Sequence, residues 1–134
     1  MKPLFDYISN KTNISQRAKD YITSISEIKK FDKNTVLIEQ HKTVNKMYFV
    51  VDGCLRSFSS DKKGKEHTLQ FAVKDWWISD FISIYTNGTS TLTLECLMDS
   101  TVIEVDITGI EELYSRFPEL KILSYTWRAY TKEF

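Results

Sequence analysis

"KMYFVVDGCLRSFSS", residues 46–60, sets how the rest of the chain is read. Two apolar, strand-forming runs flank Asp52-Gly53. That pair between such runs is a strong hairpin signal, because both residues accept the positive φ of a tight turn. The design repeats downstream in "SSDKKGKEHTLQFAV" (59–73), where a polar, glycine-containing turn from Asp61 to Lys65 leads into a strand expected from His67 to Val73. Upstream, "TVLIEQ" (35–40) is β-branched and apolar. Further on, "TLTLECL" (91–97) and "STVIEVD" (100–106) give two more strands split by Met98-Asp99-Ser100, after a loop at "TNGTS" (86–90). Many short strands with turn signals at close spacing predict a β-sandwich, barrel or jelly roll.

The two ends read differently. Residues 1–30 are expected to be helical. Pro3 suits a first helical turn, and Ser15 can cap a second helix carrying Ala18, Tyr21, Ile22 and Ile25 at helical spacing, with Ile14 as its hydrophobic staple. After the strands, Asp106 or Thr108 can cap "GIEELYSRF" (109–117), and Pro118 ends that helix and can start the next. Leu120, Leu123, Trp127, Tyr130 and Phe134 then recur at spacings of three and four, the seam of a helix that pairs with a partner. A helix packed on its own domain is the alternative. The seam is still running at Phe134, so a longer protein is expected. The chain divides into a helical segment (1–30), a strand-rich body (31–109) and a short helix followed by the start of a longer one (110–134).

Composition narrows the function. With 134 residues, 42% hydrophobic and 27% charged, the chain suits one soluble domain with a genuine core. Lys+Arg and Asp+Glu both number 18, so the basic excess of a DNA-gripping domain is missing. No apolar run reaches membrane length, and the first residues lack a signal-peptide pattern, so a cytoplasmic protein with no membrane partner is expected. Cys54 and Cys96 make neither a disulfide framework nor a metal cluster, and His41 and His67 stand alone, so no metal cofactor is expected. No nucleophile–base pair or glycine-rich phosphate loop is present, which argues against an enzyme. Glu95 and Glu104 sit in alternating strands and are expected to face solvent.

The ordered motifs carry a resemblance. "FDKNTVLIEQ" (Phe31, Leu37, Gln40), "MYFVVDGCLRSF" (Tyr48, Phe49, Gly53), "GKEHTLQF", "DSTVIEVD" and "LYSRFPEL" follow one another over about residues 25–134. This order resembles the cyclic-nucleotide-binding effector domain of the CRP/FNR family of transcription regulators. The resemblance implies a mainly β fold: a double-stranded β-helix, or jelly roll, with flanking helices and a C-terminal dimerisation helix. It implies a homodimer joined through Leu120, Leu123, Trp127 and Tyr130, sensing an unknown small-molecule effector. Its DNA contact would come only through a helix-turn-helix domain beyond this chain.

The resemblance also locates a candidate pocket, in "KDWWISDF" (74–81). Cyclic-nucleotide binders of the family carry a Phe-Gly-Glu turn, and about ten residues later an Arg-Ser/Thr-Ala triplet that grips the cyclic phosphate. Here Ile78-Ser79-Asp80 occupies the first and Ser90-Thr91-Leu92 the second. Ser79 adds a Cβ where glycine lets the backbone approach the ligand, Asp80 is one methylene short, and Ser90 removes the phosphate-gripping cation. Only Lys74 or Arg56, if turned inward, would replace it. The pocket candidates are Trp77, Ser79, Asp80, Ser90 and Thr91, with Trp76 and Trp77 on opposite sides of an extended segment. Three readings stay open: a structural segment with no ligand, a pocket for a different ligand, and a cyclic nucleotide as the disfavoured third. A stand-alone interaction module of the same fold is the alternative to a regulator's sensor domain.

Overall fold

Lys46–Asp52 and Leu55–Ser60 are both strands, but they do not pair with each other. Asp52-Gly53 is therefore not a hairpin turn. It carries the chain from one sheet to the other, and the positive φ of Gly53 (+105°) serves that crossing. The structure, a computed structural model, describes residues 1–86 and 88–123. Its strands are β1 (Ser26–Phe31), β2 (Val36–Ile38), β3 (Lys46–Asp52), β4 (Leu55–Ser60), β5 (Glu66–Ala72), β6 (Trp77–Ile78), β7 (Thr93–Cys96) and β8 (Ser100–Asp106). Its helices are α1 (Lys2–Ser9), α2 (Gln16–Ser24), α3 (Phe81–Thr86) and α4 (Ile107–Arg116), followed by a 3₁₀ turn at Pro118–Lys121.

The strands form two four-stranded antiparallel sheets, ordered β1-β8-β3-β6 and β2-β7-β4-β5. Neighbours in each sheet are mostly distant in sequence, as a jelly roll requires. The true hairpin is β4–β5. Its turn is closed by the Asp61 N–H to the Lys65 carbonyl and the Gly64 N–H to the Asp61 carbonyl, both 3.0 Å. Strand structure starts at Ser26, not at Phe31. The ladder from Ser26↔Val105 to Phe31↔Ser100 claims residues that helical periodicity had assigned to the N-terminal segment.

β3 explains where the core lies. Its residues alternate between the two faces of the sheet, and both faces are covered, so Met47–Val50 is buried throughout. Phe49, Trp77, Ile103 and Val105 meet the helices through Leu4, Ile8, Ile22, Leu113 and Phe117. Tyr48, Val50, Ile78 and Val102 meet the second sheet through Ile38, Leu55, Leu92, Leu94 and Cys96. On the Tyr48 face, Glu104 is not solvent-facing. Its side chain is 12% exposed and lies between Lys29 (3.3 Å) and Lys46 (3.9 Å). Burial, then the Glu104 carboxylate, push the Tyr48 hydroxyl pKa upward. Glu95 is also covered, paired with Arg56 at 3.1 Å.

The caps follow local chemistry. Ser15 accepts the Ala18 N–H at 3.1 Å, and Asp106, not Thr108, caps α4 by accepting the Thr108 N–H at 3.0 Å. Leu120 and Leu123 are 0% and 3% exposed and belong to the helix-side core. Those two positions of the expected seam thus face their own domain, while Trp127 and Tyr130 lie outside the described residues.

Candidate functional site

Asp80 lies two residues beyond β6 and immediately precedes α3, a helix that the sequence pattern did not predict. The residue is 2% exposed, yet every hydrogen bond its carboxylate accepts among the described residues comes from an uncharged donor. Oδ1 accepts the Ser83 N–H at 3.0 Å. Oδ2 accepts the Thr91 N–H at 2.8 Å and the Thr91 hydroxyl at 3.1 Å. The Ser90 hydroxyl lies 3.0 Å from the same oxygen, but it is closer to the Leu92 carbonyl, at 2.6 Å. A hydroxyl has one proton, so Thr91 is the constant partner and Ser90 a shared one.

The segment that carries these donors is fastened from behind. The His41 N–H donates to the Ser90 carbonyl, and the Ser90 N–H donates to the Lys42 carbonyl, both at 2.7 Å. Thr43 and Thr89 form a bridge beside them. The Ser83 hydroxyl donates to the Thr89 carbonyl at 2.9 Å. Ser79 is 1% exposed and spends its hydroxyl on the Lys46 carbonyl at 2.7 Å.

Three of the five expected pocket residues therefore converge, Asp80 from just after β6 with Ser90 and Thr91 from the approach to β7, while Ser79 turns to the Lys46 carbonyl. Trp77 lies elsewhere. Its indole is in the helix-side core, 5.1 Å from the Phe49 ring and 6.4 Å from the Tyr7 ring between centroids. Ser83 was missed, although Asp80 three residues ahead of it is a capping signal. Neither Arg56 nor Lys74 pairs with the Asp80 carboxylate. Arg56 is held by Glu66 at 2.8 Å and stacks over Phe58, and Lys74 lines a groove with Lys2, Tyr7 and Asn10. Among the described residues no lysine, arginine or histidine lies within 4 Å of the Asp80 carboxylate.

Burial pushes the Asp80 carboxyl pKa upward, but the N–H groups of Ser83 and Thr91 and the Ser83 and Ser90 hydroxyls outweigh it, so the net shift is below the ordinary 3.8. A depressed carboxyl stabilises the fold above its unfolded value, and that contribution is lost as pH falls through the folded one. Asp61 and Asp106 are also depressed, so the useful quantity is a difference. Urea unfolding of the wild type and of Asp80→Asn should differ most above pH 3.8 and converge below it. A gap that stays constant with pH would contradict this role for the Asp80 charge.

Among the described residues, no group of three or more His, Cys, Asp or Glu side chains is arranged to hold a metal, and no helix is long and apolar enough to cross a membrane. Cys96 is buried, and burial pushes its thiol pKa upward, away from thiolate chemistry.

A jelly roll between flanking helices, with a polar cradle linking the end of one strand to the approach of another, defines a β-roll domain. The chain belongs to the cyclic nucleotide-binding domain family, which matches residues 28–117. Solved structures with the same fold include the sensor domain of the transcriptional regulator DNR from Pseudomonas aeruginosa. It has 13% identity and a TM-score of 0.80, with 98% of this chain and 86% of that one covered. The catabolite activator protein of Thermus thermophilus follows at 16% identity and TM-score 0.71, covering 87% and 53%. The regulatory subunit of a cAMP-independent protein kinase A from Trypanosoma brucei has 12% identity and TM-score 0.72, covering 92% and 43%. The chain thus spans about half the length of the latter two proteins. A search of curated proteins gives no significant match.

Proposed function

We propose that this domain is the effector-sensing part of a CRP/FNR-like transcription regulator and does not hold a cyclic nucleotide in the family's usual way. Its role is regulatory, not enzymatic. A second copy of the chain is its partner, paired along the C-terminal segment, and DNA is reached only through a further domain. The observation that carries the reading is the state of the cradle. The position of the phosphate-gripping arginine is Ser90, 1% exposed, and the hydroxyl and N–H of Thr91 are spent on Asp80. A phosphate brought there would meet a carboxylate with no cation beside it. The same fold serves in the regulatory subunit of a cAMP-independent protein kinase A, which supports a β-roll that works without that ligand.

Calorimetric titration of the purified chain with cAMP and with cGMP tests the proposal. No heat of binding is expected up to millimolar nucleotide, whereas saturable micromolar binding would overturn it. The same sample in the ultracentrifuge should sediment as a dimer. A monomer at every concentration would remove the pairing from the proposal.

A further inference from the structure

We infer that the Asp80 carboxylate is the cradle's own tethered anion, occupying donors that would otherwise bind an external one, and so sets the site to reject anionic effectors. The inference rests on the functional reading above and goes further, because it assigns the rejection to one side chain. Oδ2 collects the N–H and O–H of a single residue, Thr91, at 2.8 and 3.1 Å, with the Ser90 hydroxyl at 3.0 Å. Two donors from one residue converging on one oxygen form a small anion clamp, and charge-assisted bonds of this kind are stronger than neutral ones. The clamp is rigid, since the backbone of Ser90 is fixed on both sides by His41 and Lys42. Ser79, Asp80, Ser83 and Ser90 are each at most 3% exposed, while Thr91 stands exposed at the rim. A second negative charge brought to these donors would be repelled by the first.

Removing the tethered anion should therefore create a site for a free one. Asp80→Ala deletes a carboxylate and leaves the Thr91 donors unpaired. Formate is the probe, because it is the deleted group as a free ion. The purified 134-residue chain and its Asp80→Ala variant are melted in sodium formate and in sodium chloride of equal ionic strength. Formate at ten times its Kd should raise the Tm of Asp80→Ala by roughly 3–6 °C over chloride. The wild type should move by less than about 1 °C, and Thr91→Val added to Asp80→Ala, which removes the hydroxyl but keeps the N–H, should reduce the gain. If Asp80→Ala is unfolded in chloride, formate should restore its far-UV circular dichroism. A variant indifferent to formate, folded or unfolded, overturns the inference, as does a wild type that responds equally. Neither result depends on nucleotide binding by the wild type, so this inference and the functional proposal fail separately.

Discussion

Phe49→Ala is expected to cost about 3–5 kcal/mol, a large part of the stability of a domain this size. Phe49 is 0% exposed on β3, the strand that lies between both cores. Its ring sits 5.2 Å from Tyr7 and 5.1 Å from Trp77, tilted at 57° and 59°, so two ring contacts are lost together. Tyr7 comes from α1 and Trp77 from β6, so the cavity opens where helix and sheet meet. Urea unfolding should show the loss as a lower midpoint at an unchanged slope. Phe71→Ser, at a side chain 55% exposed on β5, should stay within about 0.5 kcal/mol of wild type. Equal losses at the two positions would contradict the assignment of Phe49 to the core.

Gly53→Ala should cost about 2–6 kcal/mol, the sum of a backbone and a steric effect. The φ of +105° is one that side chains rarely adopt. An added Cβ would also meet Ser100, with its Cβ at 2.6 Å and its backbone Cα at 2.7 Å. Ser100 has little freedom to withdraw, since its hydroxyl accepts the Cys54 N–H at 3.2 Å and donates to the Met98 carbonyl at 2.8 Å. Gly64→Ala separates the two effects. That glycine has φ +81° but nothing within 4 Å of an added Cβ, so only the backbone cost of about 1 kcal/mol should appear. Thermal melts of both variants measure the difference. A Gly53→Ala loss no larger than that of Gly64→Ala would mean that Ser100 yields.

These two glycines also mark how far local sequence could be read. The Asp61–Lys65 turn, the Ser15 cap and the strands β7 and β8 depend on neighbours in sequence, and all were legible. Asp52-Gly53 was read as a hairpin because a positive φ is all that the dipeptide encodes. Whether the next strand folds back or crosses to another sheet is decided by β8, about fifty residues on, which takes the place beside β3. The start of β1 was hidden for the same reason. Ser79, Asp80, Ser90 and Thr91 were chosen through the family's motif order; Asp80 bonds to Ser90 and Thr91, while Ser79 bonds to Lys46. Trp77 was grouped with them although a signal against it was present: in an extended segment Trp77 and Ile78 take opposite faces, and Ile78 took the inter-sheet side. No pattern in the sequence could show that Asp80 would find its partners in Thr91 rather than in a ligand.

β6 has only two residues, and each is anchored in a different core. Trp77 is held from the helix side and Ile78 from the sheet side, which makes the dipeptide a rivet driven through the β-roll. Ser79 and Asp80 are the next links of the chain, so the cradle hangs from that rivet. Its position is inherited from the seating of α1 against Phe49 and Trp77 as much as from its own hydrogen bonds. A shift in the helical layer has a short mechanical path to the buried carboxylate, a single strand long.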